Sequence, residues 1–287
     1  MRIPPYWSRG TFTGTNQKGR EETFRAWGWS FDSLAEAQND AVARAKRIFE
    51  HFISNVDFDR YDYVDVPLRE EILHRIGEGD DEIAVITRNR YGAMVLNAAS
   101  VCFVDVDFPP VRGQGLVDSI GLIFSKQKRQ QRQEEIQDAT LMLVREWAAR
   151  NPQRSFRLYR TAAGLRLLFT DRLYDPTSSE TAELLGELKS DWRYRKLTEK
   201  QACFRARLTP KPWRCHCKRP PGRYPFDDGG AEEAYHKWLE NYEEKSRGYA
   251  TCHLIESNGR GAGNDVLDTI IEVHDRYSCG ASDTELA

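Results

Sequence analysis

The stretch over residues 101–109, Val-Cys-Phe-Val-Asp-Val-Asp-Phe-Pro, constrains the fold more than any other part of the chain. Hydrophobic residues lead into Asp105 and Asp107, and two prolines end the pattern, which predicts a buried strand. Side chains two apart on a strand point to the same side, so both carboxylates should project together. Such like charges need a cation between them, and Mg²⁺ or Mn²⁺ prefers oxygen ligands. The pattern predicts a divalent-metal site, with a solvated strand end as the alternative.

Charge is distributed unevenly along a nearly neutral chain. The 287 residues allow one large domain or two modest ones, and the formal net charge is −2. The overall charge therefore gives no indication of nucleic-acid binding. Basic residues nevertheless cluster at Arg88 and Arg90 and over 126–132 and 193–223, while acidic residues concentrate over 57–81 and after position 231. This asymmetry allows a basic groove on a near-neutral protein.

Neither a membrane segment nor an export signal is evident in the sequence. No stretch approaches the roughly 20 apolar residues of a membrane helix. The first residues, Met-Arg-Ile-Pro-Pro, lack the apolar centre of a signal peptide. We therefore expect a cytoplasmic protein without a membrane partner. Six scattered cysteines in a chain of this length favour free thiols.

Hydrophobic periodicity predicts an α/β (α+β) protein with a mixed central β-sheet flanked by helices. Strands are predicted over residues 23–29, 83–87, 93–97, 101–107, 156–160, 165–169, 203–208 and 249–256. Helices are predicted over residues 34–52, 68–76, 130–150, 177–188, 232–247 and 266–276, with a loop over 55–66. We expect an N-terminal strand and helical flank over 1–80, a core over 81–220 and a C-terminal helical extension over 221–287.

The order of these features resembles the archaeo-eukaryotic primase, or primase-polymerase, superfamily over about residues 80–215. An Asp-x-Asp strand is followed by a long helix, a small-residue turn over 161–164, a further Asp and a basic strand ending in Pro-Lys-Pro. In that family the Asp-x-Asp strand binds two metals, a Ser-Gly-x-Gly-x-His motif supplies a phosphate-contacting His, and a third motif adds a carboxylate. The resemblance implies a mixed central sheet of primase-polymerase type for residues 81–220.

The motifs match this chain to different degrees. Asp105 and Asp107 match the first motif. Residues 161–166 match the second only in shape, because Arg166 stands in place of the family's His. Arginine can hold a triphosphate by bidentate hydrogen bonds, but it cannot shuttle a proton. Asp191 is the best candidate for the third carboxylate, and Asp171 and Glu256 are alternatives.

Metal-dependent nucleotidyl transfer is the activity that the resemblance implies, with nucleic acid and nucleoside triphosphates as partners. Asp105, Asp107 and Asp191 would be the catalytic carboxylates and would hold Mg²⁺ or Mn²⁺. The expected phosphate-binding residues are Arg88, Arg90, Arg166, Arg207 and Lys211. For Arg88 and Arg90 the alternative is a solvated or salt-bridged surface position. Two other functions stay open: a primase-fold module that binds nucleic acid or nucleotide without polymerising, and a metal-dependent phosphohydrolase or nuclease.

Several other patterns suggest sites of other kinds. Cys215 and Cys217, with Cys203 upstream and Cys252 downstream, suggest zinc, but Cys-x-Cys is tighter than the usual zinc spacing and favours free thiols. Nothing in the sequence fixes a partner for a cysteine nucleophile. The glycine-rich turn over 257–263 lacks the Gly-Lys-Ser/Thr ending of a phosphate loop, which favours a flexible turn. The tryptophans are expected in the core or at its rim, and Trp213, among basic residues, is also a candidate to stack on a base.

Overall fold

The computed structural model describes residues 1–54, 67–77, 79–111, 125–281 and 283–287. Over these ranges the chain forms twelve strands and six helices. The strands are β1 (Tyr6–Thr15), β2 (Glu21–Ser30), β3 (Glu71–Ile76), β4 (Ala84–Arg88), β5 (Met94–Ala98), β6 (Phe103–Asp107), β7 (Phe156–Thr161), β8 (Gly164–Phe169), β9 (Phe204–Arg207), β10 (Tyr249–Ala250), β11 (Cys252–Asn258) and β12 (Glu285–Leu286). The helices are α1 (Leu34–Ser54), α2 (Lys126–Arg150), α3 (Ser179–Glu187), α4 (Trp192–Gln201), α5 (Gly229–Ser246) and α6 (Asp265–Ser278).

The predicted α+β class is confirmed, and most strands belong to two four-stranded sheets. The strand order is β11-β7-β8-β6 in the first sheet and β3-β4-β5-β9 in the second. Every pairing inside these two sheets is antiparallel, whereas one mixed sheet was expected. The primase-polymerase arrangement itself stays a prediction.

The first sheet lies between α2 and α6. On one face, the Trp147 ring of α2 lies 6.2 Å from the Phe156 ring and 6.0 Å from the Phe169 ring, measured between centroids. On the other face, the His274 ring of α6 lies 5.3 Å from the Phe103 ring. Burial of these aromatic and aliphatic side chains on both faces supplies the main core, because removing apolar surface from water is favourable.

The two four-stranded sheets meet where β6 approaches β9. The hydroxyl of Tyr194 in α4 donates to the backbone carbonyl of Phe103 at 2.9 Å and accepts from the backbone N–H of Arg205 at 3.3 Å. The hydroxyl of Thr251 donates to the carbonyl of Leu208 at 2.9 Å. The Tyr194 bonds join the start of β6 to β9, and the Thr251 bond joins the residue before β11 to the residue after β9.

The N-terminal hairpin β1–β2 packs against α1. The side of α1 that faces the hairpin carries three fully buried alanines, Ala37, Ala41 and Ala45, whose small side chains allow close packing. At Gly28 a Cβ atom would lie 2.2 Å from the backbone nitrogen of Ala41, so any larger residue there would displace the helix.

The structure differs from the sequence-based expectation at two elements near the site. The helix predicted over 68–76 is wrong, because β3 is a strand paired antiparallel with β4. Its apolar residues have helical spacing, but the available edge of β4 determines the conformation. The helix α4 was not predicted, and it begins directly after Asp191. The loop predicted over 55–66 lies outside the described residues, as does part of the acidic segment over 57–81.

None of the helices in the described ranges combines the length and the apolar character needed to cross a membrane. All six cysteines fall within these ranges and are free thiols.

Candidate functional site

Asp105 and Asp107 lie at the end of β6, beside the small-residue turn between β7 and β8. In the β6–β8 register Asp105 is opposite Arg166 and Asp107 is opposite Gly164. A Cβ atom at Gly164 would lie 2.2 Å from the carbonyl oxygen of Val106, so only glycine allows this close approach. The small residues that suggested the family's second motif thus serve to bring the turn against the Asp-x-Asp strand.

Arg166 is the cation that pairs with Asp105. Its Nε donates to Oδ1 of Asp105 at 2.7 Å and its Nη2 donates to Oδ2 at 3.0 Å, a bidentate arrangement. The Arg166 side chain is 2% exposed, and that of Asp105 is 39% exposed. Burial alone would lower the pKa of Arg166, but the Asp105 carboxylate raises it above its ordinary value. Burial would likewise raise the pKa of Asp105, and Arg166 instead holds it below the usual value.

The Nη1 group of Arg166 also contacts protein atoms. Its Nη1 donates to the carbonyl of Arg207 at 3.0 Å and contacts Nε2 of His274 at 3.4 Å. Nδ1 of His274 lies 2.9 Å from Oδ1 of Asp275, so a proton on Nδ1 would leave Nε2 free to accept. The guanidinium predicted to bind phosphate is therefore enclosed, and its position suits orientation of Asp105.

Asp107 is the exposed carboxylate of the pair and has no hydrogen-bond or ion-pair partner among the described residues. Its pKa is raised above the usual value, first by partial burial and then by the charges of Asp105 and Asp191. Lys211 and Arg214 oppose this shift. Asp191, the predicted third carboxylate, is thus close enough to interact with Asp107.

Asp191, whose charge acts on Asp107, is the N-cap of α4. Its Oδ1 accepts hydrogen bonds from the backbone N–H groups of Arg193 at 2.9 Å and Tyr194 at 3.2 Å. The two alternative carboxylates have arginine partners of their own. Asp171 lies 3.4 Å from Arg154, and Glu256 lies 2.7 Å from Arg145.

Three cationic side chains, Arg207, Lys211 and Arg214, form what we call the cation cluster. Burial and the charges of Arg166 and Arg214 lower the pKa of Arg207 to about 10. The pKa of Lys211 is also lowered, by burial and by both clustered arginines. The Nη1 atoms of Arg207 and Arg214 are buried without a hydrogen-bond partner among the described residues. Buried donors without acceptors are costly, so this cluster is suited to binding an anion. Arg214 was not among the predicted site residues.

Arg88 and Arg90 lie in different surroundings. Arg88 is 8% exposed, its Nη2 lies 3.1 Å from Oε1 of Glu243, and its Nη1 donates to the carbonyl of Gly92. These contacts correspond to the salt-bridged alternative, and we leave Arg88 out of the proposed site. Arg90 is exposed and lies over the ring of Tyr91, with its Cζ 4.6 Å from the centroid.

The three carboxylates suit a hard divalent cation by their chemistry, but their side chains are not arranged as a complete metal site in the described residues. Asp105, Asp107 and Asp191 supply carboxylate oxygens, the ligands that Mg²⁺ and Mn²⁺ prefer. The raised pKa of Asp107 reflects like charges that a cation between them would offset. Within the described ranges, no group of three or more His, Cys, Asp or Glu side chains is arranged to hold a metal ion.

Asp107 should make the stability of the protein depend on pH. Its folded-state pKa lies above the unfolded value of about 3.9, so between these values the folded state binds more protons. The contribution of this group to the free energy of unfolding therefore falls as pH rises through that window. Asp107→Asn removes the titration, so the variant should gain stability relative to the wild type as pH rises from about 4. Urea unfolding at several pH values measures this difference, and a difference independent of pH would contradict it.

Two thiols, the buried Cys252 and the partly buried Cys279, lie behind Arg166. Sγ of Cys252 lies 3.7 Å from Sγ of Cys279 and 4.0 Å from Nε2 of His274. Both Cys252 and His274 are fully buried, which leaves no access for a substrate to a Cys252 nucleophile. The cysteines considered for zinc are divided between places, since Cys203 lies in one core cluster and Cys215 and Cys217 lie in another.

The glycine-rich turn over 257–263 lines a cavity of about 170 Å³. Strand register places this cavity at the other end of the first sheet, because Phe156 and Phe169 pair there whereas Thr161 and Gly164 pair beside Asp107. The cavity is therefore separate from the Asp-x-Asp site.

Comparison with protein-family models, with curated proteins and with solved structures finds no match for this chain.

Proposed function

We propose that this chain is a metal-dependent nucleotidyltransferase of primase-polymerase type that acts on nucleic acid. The observation that carries the proposal is the cation cluster next to the carboxylate of Asp107. Among the described residues, the cluster has buried donors without a hydrogen-bond partner and Asp107 has no ion-pair partner. A site with both features needs an anion and a cation at once. A nucleoside triphosphate bound with a divalent metal supplies both.

Each group has a role that follows from its position. Arg207, Lys211 and Arg214 bind the phosphates, because guanidinium and ammonium groups form charge-assisted hydrogen bonds to phosphate oxygens. Asp105, Asp107 and the remaining oxygen of Asp191 would hold Mg²⁺ or Mn²⁺. A bound metal would offset the charge on the transferring phosphoryl group and activate the attacking hydroxyl. Arg166 is a positioning residue that fixes the Asp105 carboxylate before substrate arrives.

The second candidate is a nucleotide- or nucleic-acid-binding module without transferase activity. The bidentate contact of Arg166 favours it, because both oxygens of Asp105 already have a cationic partner. The two candidates share the phosphate-binding cluster and differ in whether the carboxylates support chemistry. Binding and incorporation must therefore be measured separately.

Removal of two cations from the cluster tests the proposal. Lys211→Ala with Arg214→Ala should weaken binding of a labelled triphosphate with Mn²⁺ by at least about tenfold, since each hydrogen bond to a charged group contributes about 1.5–3 kcal/mol. The matched control is Lys46→Ala with Arg47→Ala, which removes the same charges from the exposed side of α1.

Calorimetric titration and a primer-extension assay should be run on the same preparations. Nucleotide incorporation by the wild type and the control, lost in the Lys211/Arg214 variant, would support the transferase. Triphosphate binding without incorporation would support the binding module. Equal triphosphate affinity in all three proteins would contradict both candidates.

A further inference from the structure

Two aromatic rings lie beside the cation cluster, and we call Tyr91 and Trp213 the aromatic pair. Tyr91 lies in the turn between β4 and β5, and Trp213 lies in the short 3₁₀ turn Pro212–Arg214 after β9. Their ring centroids are 5.3 Å apart and the ring planes meet at 88°, an edge-to-face contact. Trp213 is 43% exposed. A large apolar ring is therefore kept at the surface in a fixed orientation.

Strand pairing explains why these distant residues meet. The backbone N–H of Leu208 donates to the carbonyl of Met94 at 2.8 Å, and the N–H of Met94 donates to the hydroxyl of Thr209 at 2.9 Å. Because β5 and β9 pair antiparallel, the turn before β5 and the turn after β9 lie at the same end of these two strands. The side chain of Asn89 fixes the first turn, because its Oδ1 accepts from the N–H of Tyr91 at 2.9 Å.

Three cationic side chains surround the aromatic pair. Cζ of Arg219 lies 5.4 Å from the centroid of Trp213 and 6.0 Å from that of Tyr91. Nζ of Lys211 lies 5.7 Å from the centroid of Trp213, and Arg90 lies over Tyr91. Arg90 and Arg219 are both exposed. Because Lys211 also belongs to the cation cluster, the aromatic pair is continuous with the Asp-x-Asp site.

We propose that Trp213, supported by Tyr91, stacks on a base of single-stranded nucleic acid, while Arg90 and Arg219 bind the phosphates flanking that base. This inference rests on the proposed function and deepens it by naming where the strand lies. Proteins that bind single strands combine aromatic rings, on which bases stack, with basic side chains that follow the backbone. A nucleobase would also gain from the adjacent guanidinium groups.

The number of cations favours a strand over the base of the incoming nucleotide. The cation cluster already provides three positive groups for a triphosphate beside Asp107. Arg90 and Arg219 add two exposed positive groups on the aromatic side, where a continuing backbone would place further phosphates. A single strand of nucleic acid is thus the ligand whose phosphates can contact all of these cationic groups.

The test is binding of fluorescent oligo(dT) and oligo(rU), each of about 16 nucleotides, to the full chain by anisotropy over a range of salt concentrations. Trp213→Ala should weaken strand binding by about 5- to 150-fold, the range for losing one stacked base, with little change in salt dependence. Trp213→Phe, which keeps a ring, should retain most of the affinity. Arg219→Ala should instead reduce the slope of log affinity against log salt by about one.

The control is Phe31→Ala, which removes another exposed aromatic ring, 52% exposed, just after β2. Circular dichroism confirms that each variant is folded. If Trp213→Ala does not fold, Arg219→Ala serves instead, because an unchanged salt slope in that variant would overturn the proposal. Strand affinity equal in Trp213→Ala and wild type would overturn the proposal, as would wild type that binds neither oligonucleotide. A loss of affinity for free triphosphate alone would assign the ring to the incoming nucleotide and overturn the strand assignment.

These results separate the inference from the proposed function. Strand binding that depends on Trp213, without incorporation under any metal, would support the inference and contradict the transferase. Incorporation that is unchanged by Trp213→Ala at every template concentration would support the transferase and contradict the inference.

Discussion

Asp107→Asn is expected to lower nucleotide incorporation by about a thousandfold, or about 4 kcal/mol in the activation barrier, while the protein stays folded and still binds triphosphate. Asp107 is the site carboxylate without a hydrogen-bond or ion-pair partner among the described residues. Both oxygens of Asp105 contact Arg166, and Oδ1 of Asp191 caps α4. The charge of Asp107 is therefore the one most available to a metal ion.

The variant must be compared with a conservative change elsewhere. Asp227→Asn alters an exposed carboxylate that pairs with Arg9 at 2.7 Å, and it should leave incorporation unchanged. Triphosphate affinity in Asp107→Asn should stay within a few fold of wild type, because the cation cluster is intact. Incorporation at the wild-type rate in Asp107→Asn would exclude Asp107 from the chemistry.

Asp105→Asn, unlike Asp107→Asn, is expected to destabilise the protein. It should lower the free energy of unfolding by about 2–3 kcal/mol. The amide cannot balance the charge of Arg166, whose side chain is 2% exposed. Breaking a fully buried pair costs about 3–5 kcal/mol, and the smaller value here reflects the 39% exposure of Asp105. Asp107→Asn, two residues away on the same strand, should be neutral or stabilising near neutral pH, because the pKa of Asp107 is raised.

A double-mutant cycle isolates the pair. Arg166→Met in the Asp105→Asn background removes the unpaired charge and should recover part of the lost stability. Urea unfolding of the wild type, both single variants and the double variant gives the coupling energy. Equal unfolding free energies for Asp105→Asn and Asp107→Asn would show that Arg166 does not depend on Asp105.

The strand elements of the site could be predicted because their signals are local. The hydrophobic run before Asp105 and Asp107 predicts a strand, and β6 is that strand. The small residues before Leu165 predict a turn between two strands, and β7 and β8 are joined there. In both cases the alternation of side chains and the turn residues lie within about ten positions.

The contacts across the site could not be predicted in the same way. Arg166 and Asp105 are 61 residues apart in sequence, and their meeting depends on the register of β6 with β8. The contact of His274 with Arg166 depends on how α6 packs against the first sheet. Sheet order and helix packing are set by the whole core, so local patterns do not encode them.

The helix α4 shows how a missed element changes the interpretation of a residue. Its polar sequence has a weak apolar stripe, so hydrophobic periodicity did not reveal it. Its presence makes Asp191 a helix cap as well as a candidate metal ligand. Asp191→Asn would keep much of the cap, since asparagine is also favoured there, and would remove the charge near Asp107.

The central claim is that the carboxylates and the cation cluster together transfer nucleotides, and incorporation of labelled nucleotide tests it most directly. Wild-type protein should be assayed on primed and unprimed single-stranded templates, with Mg²⁺ or Mn²⁺, beside the Asp105/Asp107 double variant. We predict metal-dependent incorporation by the wild type and none by the variant. No incorporation by folded wild type with either metal on either template would contradict the claim.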